Sequence, residues 1–198
     1  MPTLVLMRHG EAGFAARDRA RPLTPRGRAE AASQARAIAR VVGGIDVAVV
    51  SEAARTQQTL AALRSAGLAV ARVWEEASLY SRGGEGLLET LRGLDGRGSE
   101  GAVRESADAE AGFEADAVLV VGHEPTMSTL AGLLATREKG LPESRGRARF
   151  RALRGPGAAR ADHSFRYGFS TAMAVVGDVE SWSSLAPGCM RIADVLRP

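Results

Sequence analysis

The sequence predicts an α/β layered fold built on a parallel sheet, and three observations lead there. Short apolar runs alternate along the chain with longer amphipathic stretches, as strands alternate with helices in layered folds. The runs are apolar at successive positions rather than at every second one, the pattern of strands buried on both faces. Several of them end abruptly in charged or hydrogen-bonding residues, where an open parallel sheet places its ligand site.

The elements follow in order. Leu4–Met7, Val47–Val50, Ala69–Val73, Ala117–Val121 and Ala172–Val176 read as strands. Thr24 is a fitting N-cap, with Pro25 at the first helical position, for a helix running to about Val41 and ended by Gly43-Gly44. Ser51 is expected to cap a second helix, from Glu52 to about Ala66, closed by Gly67. A third helix is expected from Gly84 to about Leu94, and a fourth from Pro125 to about Ala135. Two segments break the rhythm. Gly93–Gly112 reads as a loop, and Arg137–Gly168, rich in Arg, Gly and Pro, reads as an insertion with mobile parts. The 198 residues suit one domain, residues 1–198, carrying that insertion at about 137–168.

Composition narrows the function classes. Apolar residues make up 45% of the chain and aromatics 5%, so the core is built from Ala, Val and Leu. The net charge is +3, and Lys139 is the sole lysine. The arginines are dispersed, apart from the Arg145–Arg160 region, rather than clustered on one basic face with interleaved aromatics, so nucleic acid is not an expected partner. Cys189 is the only cysteine, which excludes an intramolecular disulfide and a thiolate metal cluster. No apolar run approaches the ~20 residues that span a membrane. The first run is short and lacks a basic leader, so a cytoplasmic protein is expected, with neither a signal peptide nor a membrane partner. The oligomeric state is left open.

The first run ends in Arg8-His9-Gly10-Glu11, the second in Ser51 with Arg55 one helical turn on, and the fourth in Gly122-His123-Glu124. Two of the three histidines therefore sit at strand ends; the third, His163, falls in the insertion and reads as a surface residue. Together these groups describe an anion site. Arg8 and Arg55 can offer forked donors to phosphate oxygens. Helix N-termini after Ser51 and His123 would add backbone N–H groups. Gly10 would let the backbone approach a ligand closely. Cations around an imidazole keep it unprotonated, which frees a ring nitrogen to attack phosphorus.

The stretches "LMRHGEA", "RPLTPRG", "SEAARTQQT" and "VGHEPT", in this order, resemble the histidine phosphatase superfamily, in the branch that includes phosphoglycerate mutases. The short chain, "RPLT" and "SLYSRGGEGLLETL" are similar to the SixA-type phosphohistidine phosphatases more than to the mutases. The resemblance implies a three-layer sandwich with a mostly parallel central sheet flanked by helices. It implies a cofactor-independent phosphatase, using no metal, that acts on phosphate monoesters or phosphohistidine. His9 would be the nucleophile, forming phospho-His9, and Arg8, Arg55 and His123 would form the phosphate pocket. His123 would be cationic once phosphate is bound. Its partner would be a phosphorylated small molecule or a phosphohistidine protein.

The remaining residues carry two readings each. Glu76, or else Glu75, is the candidate general acid after the third strand; otherwise one caps a turn and the other faces solvent. A phosphohistidine substrate relaxes the demand for an acid. Glu52 stands where the family usually has Pro, and a carboxylate at a helix start needs no functional reason. Glu11 would orient Arg8 or Arg55, or simply be exposed. Arg21 would reach the pocket mouth or pack its loop. Ser170, with Thr171, would open the final strand, where it could touch phosphate. Three alternatives to the phosphatase reading differ in class or chemistry: a phosphoglycerate mutase-like enzyme, a non-catalytic phosphate-binding adaptor, and a metal site built from His9, Glu11, His123 and Glu124.

Overall fold

The computed structural model describes residues 1–77, 79, 84–94, 115–136 and 164–198. The strands are β1 (Thr3–Arg8), β2 (Ile45–Val50), β3 (Val70–Glu75), β4 (Ala117–Gly122), β5 (Ala174–Asp178) and β6 (Arg191–Leu196). The helices are α1 (Pro25–Val42), α2 (Ala54–Ser65), α3 (Gly84–Arg92) and α4 (Thr126–Leu134), with short 3-10 turns at Asp18–Ala20 and Ser164–Tyr167. One sheet runs in the order β3-β2-β4-β1-β5-β6. Its β3-β2-β4-β1 part is parallel, and β5 is antiparallel to both of its neighbours. This is the mostly parallel sheet the sequence implies.

Side chains along each strand alternate between two cores. Leu4, Leu6, Val47, Val49, Val118 and Val120 face one, which also takes in Leu87 and Leu91 of α3 and Met127 and Leu130 of α4. Val5, Met7, Ala48, Val50, Leu119 and Val121 face the other, with Ala35 and Ile38 of α1 and Leu60 and Leu63 of α2. Both sides of the central strands are thus covered by helices, giving three layers, and this is why those strands read as unbroken apolar runs.

The caps on α1 are as expected. Thr24 accepts from Gly27 N, Pro25 opens the helix, and Gly43 closes it at φ 79°. Several boundaries differ. α2 starts at Ala54 with Ala53 as its N-cap and no side-chain cap, so Ser51 does not cap it. β3 is displaced to Val70–Glu75 and its residues are half-buried or exposed, because it is the edge strand and lacks a neighbour on one side. β5 starts at Ala174, since Ala172 lies in the left-handed region at φ 55° and turns the chain. Ser170 and Thr171 therefore belong to the turn before β5 rather than opening a strand, and β5 is followed by β6, which the sequence reading missed.

Most of Gly93–Gly112, and of Arg137–Gly168 with Arg145–Arg160 and His163, lies outside the described residues. At the end of the latter, Phe165 is fully buried and Arg166 donates to Gly132 O at 3.0 Å, tying that turn to α4. Among the described residues no helix is long and apolar enough to cross a membrane.

Candidate active site

Register gathers the chemistry at one edge of the sheet. Arg8 pairs with Gly122 across β1 and β4, and Val50 pairs with Val121 across β2 and β4. The next residues, His9, Ser51 and His123, therefore leave three adjacent strands within one residue of the same level. His9 N donates to Gly122 O at 3.1 Å, and Ser51 N donates to Val121 O at 3.3 Å. The turn before antiparallel β5 reaches this edge too. Arg8 N donates to Met173 O at 3.0 Å, and Ala172 N to His9 O at 3.1 Å.

The His9 and His123 rings meet edge to face, with centroids 5.3 Å apart. His9 is buried, and its Nδ1 lies 2.7 Å from Gly10 O. A carbonyl only accepts, so Nδ1 carries the proton and donates, which leaves the Nε2 lone pair without a hydrogen-bond donor among the described residues. Burial pushes the His9 pKa down from 6.5 to about 4; the Gly10 hydrogen bond opposes this, and the charges of Arg55, Arg8 and Arg21 add to it. Burial likewise takes His123 to about 4, assisted by Arg55, His9 and Arg8 and opposed by Asp18. Both rings are neutral at pH 7.

The loop carrying His9 is pressed against α1. A Cβ on Gly10 would stand 2.3 Å from Gly27 O, so only glycine fits there. Gly10 N donates to Thr59 Oγ1 at 3.1 Å, and Thr59 Oγ1 donates to Arg55 O at 2.7 Å. Arg8 Nη1 donates to Phe169 O at 2.6 Å, and Arg8 Nε is buried with no hydrogen-bond partner among the described residues. Arg55, in the first turn of α2, is buried with its guanidinium aimed at Asp18. Its Nη1 donates to Asp18 O at 2.7 Å and its Nη2 to Asp18 Oδ2 at 3.0 Å. Arg21 Nε donates to Gly13 O at 2.8 Å and Arg21 Nη1 to Asp18 Oδ1 at 3.2 Å, so Arg21 packs its own loop, from which its charge acts on His9.

Other carboxylates turn elsewhere. Glu11 accepts from Thr24 Oγ1 at 2.8 Å and pairs with Arg26 at 3.7 Å. Glu52 pairs with Arg19 at 2.8 Å. Glu124 accepts from Ser128 N at 3.1 Å and from Ser128 Oγ at 2.6 Å, so α4 covers its own positive end with a protein carboxylate. Glu11 and Glu124 are thus engaged with Thr24, Arg26 and Ser128, and no group of three metal-ligating side chains forms among the described residues. Glu75 is exposed at the end of edge strand β3. Glu76 is half-buried and accepts from Thr90 Oγ1 at 2.8 Å. β3 lies three strand spacings from β1, roughly 14 Å. Ser170 is exposed; it is the preceding Phe169 whose carbonyl meets Arg8.

Sequence reasoning missed Asp18, Thr59 and the part played by Ser51. The Ser51 hydroxyl, fully buried, sits 2.9 Å from His123 Nε2 and fixes that ring. A Ser directly after a buried strand, one turn before a buried Arg, was the signal available for it.

Residues 4–80 match the family model described as the histidine phosphatase superfamily, branch 1. No curated protein matches the chain. Among solved structures, a protein from Nakamurella multipartitia assigned as the phosphohistidine phosphatase SixA aligns at a TM-score of 0.69 and 29% identity, covering 100% of this chain and 96% of that one. A protein from Agrobacterium tumefaciens with the same assignment aligns at 0.64 and 24% identity, over 100% and 99% of the two chains. The protein histidine phosphatase SixA complexed with tungstate aligns at 0.63 and 21% identity, over 99% and 97%. Over residues 4–80 the chain is similar in sequence to the histidine phosphatase superfamily, branch 1, and over its full length it shares the fold of the Nakamurella protein.

Proposed function

We propose that this protein is a SixA-like, cofactor-independent phosphatase that hydrolyses phosphohistidine, or phosphate monoesters, through a phospho-His9 intermediate. The observation that carries the reading is the His9 ring. Its proton is committed to Gly10 O, and its Nε2 lone pair stands free among arginines. A neutral imidazole with one nitrogen anchored is a nucleophile already aligned for attack.

In the first half-reaction Nε2 of His9 bonds to phosphorus, and the bond from phosphorus to the leaving nitrogen or oxygen breaks. Arg55, Arg8 and Arg21 hold the phosphoryl oxygens against this attack, with the unpartnered Arg8 Nε available as one donor. His123, held through Nε2 by Ser51, takes up positive charge as the dianion arrives and stabilises the transferring group. Water then attacks phospho-His9, inorganic phosphate is released, and His9 is regenerated. Phosphohistidine suits the site because a protonated imidazole leaves without further help from an acid. Glu76, set roughly three strand spacings from His9 and bonded to Thr90, would serve as acid only for ester substrates.

The likeness to the Nakamurella protein over the whole chain supports the phosphohistidine assignment. The test is turnover of p-nitrophenyl phosphate and of a phosphohistidine-bearing protein by wild type and His9→Ala. Wild type is expected to act on at least one, with the rate falling by about 10³-fold or more in the variant. Equal activity in the variant removes His9 as nucleophile. Phosphate binding without turnover favours a binding adaptor.

A further inference from the structure

Asp18 stands outside the mechanism above yet is bonded to two of its arginines. Its carboxylate accepts from Arg55 Nη2 at 3.0 Å and from Arg21 Nη1 at 3.2 Å, and its carbonyl accepts from Arg55 Nη1 at 2.7 Å. Exposure across the pair is lopsided, at 7% for the Arg55 side chain and 48% for that of Asp18. The cation is locked into the protein and the anion lies over it from the solvent side. An oxyanion approaching Arg55 from solvent meets a carboxylate already there.

The charges can be counted. Arg8, Arg21 and Arg55 bring three positive charges to the His9 pocket, and Asp18 brings one negative. Without Asp18 the pocket would hold one more uncompensated positive charge, and it would grip free phosphate, the reaction product, more tightly. With both carboxylate oxygens accepting from guanidinium donors, Asp18 is arranged as a competitor for arginine rather than as a proton donor.

We infer that Asp18 is a resident counter-anion that competes with phosphoryl oxygens for Arg55 and so weakens the pocket's hold on phosphate. This rests on the reading that Arg55 binds the phosphoryl group. Asp18 acts through Arg55 and is a positioning residue, not a catalytic one.

The test is the dissociation constant of inorganic phosphate, measured by calorimetry at pH 7 and fixed ionic strength, for wild type, Asp18→Asn, Asp18→Ser and Asp18→Glu. Phosphate is expected to bind about three- to tenfold more tightly to the Asn and Ser variants, the scale of a partly exposed ion pair, while the Glu variant stays close to wild type. The sign is diagnostic, because a merely structural role for Asp18 would weaken binding when it is lost. Unchanged or weaker binding in the Asn and Ser variants overturns the inference and leaves the phosphate pocket standing. Tightening in the Glu variant as well overturns the charge account. Absence of phosphate binding in all four proteins overturns both the inference and the assignment of Arg55.

Discussion

The neutral His9 should be visible in the pH dependence of folding stability. In the unfolded chain the ring titrates at 6.5, and in the folded protein at about 4. Between those values the unfolded state binds a proton that the folded state refuses, so stability rises with pH across this window. The contribution is fully present above pH 6.5 and is lost as pH falls toward 4. At about 1.4 kcal/mol per pH unit, the gap is worth roughly 3 kcal/mol for His9. His123, depressed to a similar value by burial and by Arg55, adds an effect of the same sign. The perturbation is His9→Asn, which keeps a polar side chain in place and cannot titrate. Urea unfolding at intervals from pH 4 to pH 7 gives the two stability curves, and their difference cancels the carboxylates common to both proteins. Wild type is expected to gain roughly 3 kcal/mol more than the variant over this range. Parallel curves would show that His9 titrates at its ordinary value, and the case for an unprotonated nucleophile created by burial and arginine charge would fail.

Two further outcomes follow from the packing of the site. A Cβ at Gly27 would stand 2.1 Å from Glu11 O and 2.6 Å from Glu11 N, both backbone atoms that cannot swing aside; Gly27→Ala is therefore expected to cost about 1–3 kcal/mol in urea unfolding and to lower phosphatase turnover by displacing the loop after His9, whereas wild-type stability would mean the loop is looser than its contacts imply. Ser51→Ala removes the buried hydroxyl 2.9 Å from His123 Nε2; kcat is expected to fall roughly ten- to a hundredfold with KM little changed, and an unchanged kcat would remove Ser51 as the group that orients His123.

Residues at strand ends were legible in the sequence because two rules converge on them. Unbroken apolar runs mark central strands of a parallel sheet, and ligand sites lie past their carboxyl ends. Arg8, His9 and His123 stand out in that way at the ends of β1 and β4, and Arg55 follows β2 in the first turn of α2. Legibility failed where an element is half-solvated or where a contact depends on how a loop returns. β6 alternates only weakly because its residues are all half-buried, and it lies at the sheet edge. Asp18 sits in "FAARDRARPLT", with no apolar period to place it. It reaches Arg55 because that loop folds back on itself, pinned by the bridge between Ala12 and Leu23 and by Gly13 N donating to Pro22 O at 2.8 Å. Ser51 was noticed but misread. A hydroxyl after a strand and before a helix usually serves the helix, and here it serves the imidazole of the neighbouring strand.

His9 and Arg55, the proposed nucleophile and phosphate donor, come from different elements, and one hydroxyl joins them. Gly10, whose carbonyl anchors the His9 ring, donates its N–H to Thr59, and Thr59 donates to the carbonyl of Arg55 one turn earlier in α2. Thr59 is fully buried, so neither bond competes with water. The backbone that anchors the His9 ring is therefore coupled to the backbone that carries the Arg55 guanidinium, along a path of three hydrogen bonds. Attack at phosphorus requires those two groups to hold a constant separation while the substrate changes charge and shape. In this fold the backbone part of that separation is set through Thr59, between the loop after β1 and α2. The guanidinium itself is held by the loop that bears Asp18, so that loop bears on how Arg55 meets a phosphoryl group while the backbone path stays fixed.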